Sequence, residues 1–139
     1  MPQKLILFPM LALVGLTILV WLRMYQLRIH YLRSNRISPE KYKLRRGYED
    51  VPASVMAASD NLINLFEMPV LFYAATLTLY ITQTADPLFV IMAWVFVLLR
   101  FVHSAIHVTY NRVVHRFAAY IVGTLVLWCL WTRLAFVLI

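Results

Sequence analysis

The stretch LFVIMAWVFVLLRFVHSAIH, residues 88–107, decides the fold. It is long enough to cross a bilayer, because a helix needs roughly 20 residues to span the hydrocarbon. Its second half carries Arg100, His103 and His107. Ionisable groups inside lipid are costly and usually face a protein interior or a water-filled cavity. The stretch therefore predicts a transmembrane helix with one polar face.

The composition of the whole chain is also that of a membrane protein. Of its 139 residues, 63% are hydrophobic and 14% are charged, and the mean hydropathy is +0.75. A soluble domain of this length cannot bury so much apolar surface. We therefore predict a single integral-membrane domain, residues 1–139, of the all-α class. The net charge of +7 does not indicate a nucleic-acid partner, since most cations lie in one loop between apolar segments.

Four apolar segments predict a four-helix bundle with spans at about residues 4–27, 52–83, 87–110 and 115–138. Cations concentrate in the loop after the first span and in the link between the third and fourth spans. They are Arg28, Arg33, Arg36, Lys41, Lys43, Arg45, Arg46, Arg112, His115 and Arg116. The turn between the second and third spans carries no cation. The positive-inside rule then places both basic loops in the cytoplasm and both termini on the opposite side.

Two features define the second span. Asp50 and Pro52 predict its start, since aspartate is a good helix cap and proline is tolerated in the first turn. Pro69 predicts a kink just past Glu67, because proline cannot donate a hydrogen bond to the carbonyl of Leu65.

Polar residues on three spans follow helical spacing and predict a shared site. They are Asn61, Asn64 and Glu67 on the second span, Arg100, His103 and His107 on the third, and Arg116 and Tyr120 on the fourth. Counting inward from the helix ends puts most of them in the cytoplasmic leaflet, with Arg100 roughly 10 Å deeper. Arg116 also opens a helix, where free amides and the dipole favour an anion. The pattern predicts a polar, anionic ligand between the helices.

Other interpretations of these residues stay open. Glu67 and Arg100 would also serve as a buried ion pair that joins two helices. Asn61 and Asn64 would also serve as interhelical hydrogen bonds. His103 and His107 have the spacing of metal ligands on a helix, but four histidines are too few for a membrane di-iron site, and we predict no metal.

The run DNLINLFEMPVLFY, residues 60–73, resembles the helix 2 signature of the MAPEG family, the membrane-associated proteins of eicosanoid and glutathione metabolism. The run RFVHSAIH, residues 100–107, resembles the family's helix 3. Arg116 and Tyr120 fall where the family has an arginine at the start of helix 4 and a tyrosine one turn later. The resemblance covers essentially the whole chain, which looks like a bacterial-type member.

The resemblance implies a homotrimer in the bacterial inner membrane, with glutathione bound between subunits and open to the cytoplasm. Asn64 and Glu67 would hold polar groups of the peptide, and His103 and Tyr120 would line the pocket. Further candidates for binding are Arg28, with Arg23 as its rival, and Asn61, Arg100 and His107.

The implied activity is that of a glutathione- or thiol-dependent transferase or peroxidase that acts on lipophilic electrophiles. Arg116 would be the catalytic residue, because it would face the sulfur and stabilise the thiolate.

The chain departs from well-studied members of the family at three positions. Ile63 and Asp60 stand where those members carry arginines, and His107 stands where a tyrosine is expected. Each lost charge-assisted hydrogen bond costs roughly 1.5–3 kcal/mol. Two alternatives follow. One is a non-catalytic subunit that binds lipid or a larger membrane complex, and the other is an enzyme that uses a different small thiol or an anionic lipid.

Overall fold

The computed structural model describes residues 2–38, 40 and 51–139, and the chain is helical over these residues with no strand among them. A short 3₁₀ helix, Gln3–Ile6, leads into α1. The five α-helices are α1 (Leu7–Ser34), α2 (Ala53–Asn64), α3 (Met68–Ile81), α4 (Pro87–Val108) and α5 (Val113–Leu138). The loop cations Lys41, Lys43, Arg45 and Arg46 and the predicted helix cap Asp50 lie outside the described residues.

Four helical segments are long and apolar enough to cross a membrane. They are Gln3–Ser34, Ala53–Ile81, Pro87–Val108 and Val113–Leu138. The protein is therefore an integral, multi-pass membrane protein built from four helical spans. The first helix continues to Ser34, beyond residue 27 where the first span was predicted to end. Residues 27–34 contain no glycine or proline, so nothing in this part of the sequence ends the helix.

The second span is interrupted rather than simply kinked. Helix α2 ends at Asn64, the next three residues form a turn, and α3 begins at Met68. Pro69 follows in the first turn of α3, where its missing N–H costs least. The interruption lies just before the proline, and it separates the polar α2 from the apolar α3.

The helices bring different segments of the chain together at the two ends of the bundle. One end, which we call the terminal end, comprises Gln3, the turn between α3 and α4, and the last turns of α5. The opposite end, which we call the loop end, comprises Ser34, Ala53 and the turn between α4 and α5. Gln3 joins the start of the chain to the α3–α4 turn. Its side chain donates to the Ala85 carbonyl at 3.1 Å and accepts from the Ala85 amide at 2.9 Å.

The apolar core lies in the half of the bundle next to the terminal end. Phe72 of α3 and Phe96 of α4 are fully buried and stack with their ring centroids 4.7 Å apart. Around them pack Leu13, Leu16, Ala75, Leu79, Phe89, Leu127, Leu130 and Leu134. Lipid tails are as apolar as these side chains, so close packing rather than burial from water holds this half together.

Buried polar groups concentrate in the other half. Within the described part of the chain they are Asn61, Arg100, His103, Ser104 and His107, with Thr76 apart from them. The bundle thus has a dry half at the terminal end and a polar half at the loop end, and the polar half holds the candidate site.

Asp86 caps α4 at the terminal end, and its replacement tests how much this end contributes to the stability of the fold. It accepts from the Phe89 amide at 3.0 Å and from the Arg133 guanidinium, whose NH1 lies 3.0 Å from Oδ1. We expect Asp86→Ala to lower the free energy of unfolding by about 1 kcal/mol, because the cap and the ion pair are both lost. The Arg133 hydrogen bond holds the pKa of Asp86 below its usual value of 3.8.

The effect of Asp86→Ala should therefore depend on pH. A lowered pKa in the folded state gives stability that is present above the usual value and is lost as the pH falls through the lowered one. Unfolding of wild type and variant in detergent between about pH 7 and pH 3 measures this. The difference should be constant at the neutral end and shrink at the acidic end. Asp60→Ala is the control, because Asp60 is an exposed carboxylate that forms no ion pair with the described residues. A difference independent of pH would contradict the role of the ion pair.

Candidate functional site

A cleft of about 220 Å³ opens on the side of the polar half, between α2, α4 and α5. Its lining residues are Asn64, Glu67, His103, Val113, Arg116, Phe117 and Tyr120. All of these except Val113 and Phe117 were predicted as site residues. Val113 is the first residue of α5, so the positive end of that helix borders the cleft.

Arg116 is held at the wall of the cleft by its neighbours. Its NH1 donates to the Asn111 side-chain oxygen at 2.8 Å and lies 3.5 Å from Nδ1 of His107. Its carbonyl lies 3.1 Å from Nδ1 of His103. Asn111 has φ of 45°, a left-handed conformation that asparagine tolerates, so the α4–α5 turn sets where its amide points. The guanidinium is therefore oriented before any ligand binds.

The partners of the two histidines assign their tautomers. An arginine side chain can only donate, so Nδ1 of His107 accepts and the proton of its neutral ring lies on Nε2. Nδ1 of His103 donates to a carbonyl, which leaves its Nε2 as an acceptor. Both Nε2 atoms are buried without a hydrogen-bond partner. His103 can thus receive a hydrogen bond from a ligand in the cleft.

Arg100 lies beneath the cleft and does not line it. Its side chain is 1% exposed, and its Cζ lies 5.0 Å from the ring centroids of both Phe96 and Tyr120. A Cβ on Gly123 would lie 3.6 Å from its NH2, so this glycine borders the guanidinium. None of its three side-chain nitrogens has a hydrogen-bond partner. The ion pair with Glu67 considered above is not formed within one protomer, because Glu67 lies exposed in the cleft.

The two asparagines of α2 have different surroundings. Asn61 is fully buried, and its Oδ1 accepts a hydrogen bond from the Ser104 hydroxyl of α4 at 3.0 Å. It therefore joins two helices and does not line the cleft. Asn64 lies in the cleft, where its Nδ2 donates to the Asp60 carbonyl at 2.9 Å and fixes the orientation of the amide.

The structure does not bring every predicted residue into the cleft. Arg28 lies on α1 and does not line the cleft of the same protomer. His107 contacts Arg116 but faces a separate cavity next to α1 and α2. Its ring also lies near the Ala57 carbonyl, outside hydrogen-bond geometry.

Asn111, Phe117 and Ser104 were not predicted as site residues. The position of Asn111 in the short link before Arg116 was the one signal that the sequence offered for it. The contributions of Phe117 and Ser104 arise from packing, which helical spacing alone does not encode. Among the described residues, no group of three or more His, Cys, Asp or Glu side chains is placed to hold a metal ion.

Comparison with known proteins gives one match, to the model of the MAPEG family over residues 6–136. The matched region contains every residue of the cleft and nearly the whole chain. No curated protein and no solved structure matches this sequence.

Proposed function

This chain belongs to the MAPEG family, and from that premise we propose that it is a membrane-embedded transferase or peroxidase that uses glutathione or a similar thiol. The observation that carries the proposal is the cleft itself. It combines a guanidinium, a carboxylate, an amide, an imidazole and a phenol from three helices. Its substrates would be lipophilic electrophiles that enter from the bilayer.

The residues of the cleft fit the charges of glutathione, which has an ammonium group and two carboxylates. Glu67 would pair with the ammonium, and Asn64 would donate to or accept from a peptide group. Val113 brings the amides of the first turn of α5 to the cleft, where a carboxylate is favoured. His103 would accept a hydrogen bond through Nε2, and Tyr120 supplies a hydroxyl.

Arg116 would act on the sulfur. A free thiol with a pKa near 8.5 is mostly protonated at neutral pH, so a cation beside it raises the thiolate fraction. Asn111 and His107 hold NH1 of Arg116, which leaves the other donors of its guanidinium for a ligand. When bound, glutathione would supply the thiolate, its proton passing to water, that forms a carbon–sulfur bond with the electrophile as a leaving group such as chloride departs with its bonding electrons. The protein contributes position and charge stabilisation.

The cleft of one protomer supports assembly into a trimer. Its volume of about 220 Å³ is below the roughly 300–1,000 Å³ of typical small-molecule sites. Arg100 lies under Tyr120 as a buried cation whose nitrogens have no hydrogen-bond partner, which is costly in an isolated protomer. A second copy placed against the open side would enlarge the cleft, and an anion from the ligand or from that copy would stabilise Arg100.

We also propose that the loop end faces the cytoplasm. Arg28, Arg33 and Arg36 lie at this end of α1, and Arg112 lies in the α4–α5 link. At the terminal end Arg133 is neutralised by Asp86. This asymmetry supports cytoplasmic loops and opposite termini.

The proposal is tested on the full chain in lipid nanodiscs. We expect saturable glutathione-dependent thermal stabilisation, conjugation of glutathione to a chlorodinitrobenzene, and a trimer in native mass spectrometry. Cysteine and other small thiols in parallel reactions identify the preferred thiol. A protein that copurifies with a stoichiometric partner and shows no stabilisation by any thiol would instead support a non-catalytic subunit.

A further inference from the structure

A second cavity lies in the polar half, on the other side of His107 from the cleft. Its volume is about 220 Å³, and it lies between α1, the first turns of α2 and the end of α4. The polar side chains that line it belong to Arg23, Ser54, His107, Thr109 and Asn111. The cavity is formed within one protomer, so it needs no second subunit to exist.

Five of the lining side chains are polar, five are apolar, and none of those described is acidic. The Thr109 hydroxyl donates to the Ala105 carbonyl, so Arg23, Ser54, His107 and Asn111 are the candidate donors. Arg23 lines the cavity, and no hydrogen bond or ion pair joins its guanidinium to the other described residues. Asn111 uses its oxygen to accept from Arg116, which leaves the Nδ2 group to donate. Ser54 adds a hydroxyl from the first turn of α2, close to the positive end of that helix.

His107 supplies an independent indication of a ligand. The residue is 1% exposed, its ring forms part of the cavity wall, and its Nε2 is buried without a hydrogen-bond partner. Because Nδ1 accepts from Arg116, Nε2 carries the proton. The Ala57 carbonyl near the ring does not meet hydrogen-bond geometry, so this donor has no partner in the protomer. A buried donor without a partner costs free energy that a bound acceptor would recover.

From this set of donors we propose that the cavity binds a phosphate group. Arg23, Ser54 and the pair His107 and Asn111 approach from α1, α2 and the α4–α5 end, three different sides. The oxygens of a tetrahedral phosphate point to different sides, whereas the two oxygens of a carboxylate lie in one plane, so a phosphate matches this arrangement of donors better. The volume has room for a phosphate, since one water takes about 30 Å³. The cavity lies at the loop end of the bundle, where a lipid headgroup or free phosphate can supply the phosphate group.

Two binding experiments on the purified trimer or monomer, whichever the protein forms, separate these sources. In a neutral detergent and phosphate-free buffer, inorganic phosphate is titrated by calorimetry, with chloride at equal ionic strength as the reference. In nanodiscs, native mass spectrometry compares retention of a phosphatidic acid with that of an uncharged diacylglycerol. Saturable binding of inorganic phosphate identifies free phosphate, and retention of the phosphatidic acid alone identifies a lipid headgroup.

Variants then locate the site. Arg23→Gln and Ser54→Leu each change an exposed residue, the first removing the cation and the second narrowing the opening. Each should weaken binding about ten-fold or more, as expected for loss of a charge-assisted hydrogen bond or of access. Arg33→Gln is the matched control, because Arg33 is an exposed arginine of the same helix that does not line the cavity.

The results overturn the proposal if neither phosphate nor phosphatidic acid binds, or if Arg33→Gln weakens binding as much as Arg23→Gln. Circular dichroism of each variant confirms that the helices are retained. Phosphate binding does not depend on the thiol chemistry proposed for the cleft. Failure of glutathione conjugation would leave this inference intact, and failure of phosphate binding would leave the proposed activity intact.

Discussion

Arg116→Ala should lower kcat for glutathione conjugation by about 100-fold or more while the KM for glutathione changes little. Removing one preorganised group that stabilises developing or standing negative charge typically costs 10²- to 10³-fold in kcat. Arg116 is oriented by Asn111 and His107 and borders the cleft, so its loss removes a fixed cation rather than a mobile one. The remaining cleft residues still bind the peptide, which keeps KM nearly constant.

The pH profile distinguishes this role of Arg116 from a structural one. Without the cation, the thiolate of bound glutathione should form only at higher pH, so the activity of the variant should partly recover as the pH rises. Arg116→Lys retains the charge and should restore part of kcat. Arg112→Ala is the matched control, since Arg112 is an exposed arginine four residues earlier that does not line the cleft. Equal losses in Arg112→Ala and Arg116→Ala, or an unchanged kcat in Arg116→Ala, would refute the assignment.

Glu67→Gln should weaken glutathione binding by about 10- to 100-fold, with a smaller change in kcat. The substitution keeps the shape of the side chain but removes the charge that would pair with the ammonium of the peptide. A charge-assisted hydrogen bond is worth roughly 1.5–3 kcal/mol, which corresponds to this range. Titration of glutathione, followed by thermal stabilisation or calorimetry, measures the effect directly.

Asp60→Asn is the control for this experiment. Asp60 is an exposed carboxylate on the same helical face as Asn64, and it does not line the cleft. Its neutralisation changes the net charge of the protein by the same amount as Glu67→Gln. The comparison therefore distinguishes a direct contact with the ammonium group from an effect of overall charge on binding. Similar weakening in both variants would mean that the cleft does not hold the ammonium through Glu67. A loss of kcat at unchanged affinity would assign Glu67 to the reaction instead of to binding.

The sequence predicted the membrane architecture well because hydropathy reports it directly. Each apolar segment is long enough to span the bilayer, and a single segment satisfies all its own backbone hydrogen bonds in lipid only as a helix. Helical spacing also placed Asn64, Glu67, His103, Arg116 and Tyr120 on faces that the structure joins in one cleft. Their roles in binding and catalysis stay predictions until they are measured.

Other features depend on contacts that spacing does not contain. Asn61 lies on the same helix as Asn64, but its side chain is buried and accepts a hydrogen bond from the Ser104 hydroxyl. His107 follows His103 by one turn, and its ring faces another cavity because α1 and α2 leave space there. The break before Met68 arises where the polar end of α2 meets the proline-led start of α3, and a sequence pattern cannot tell this from a bend in a continuous helix.

That break has a consequence for how such a protein diversifies. The stacked phenylalanines and the leucines around them form the apolar core, next to the terminal end of the bundle. The polar groups that line the cleft belong to α2, to the turn after it, and to the facing ends of α4 and α5. A substitution at a cleft position such as Asn64 should therefore change what the cleft holds without disturbing the packing of Phe72 against Phe96. The ligand preference of related proteins can therefore change during evolution while the packing of the helix bundle is retained.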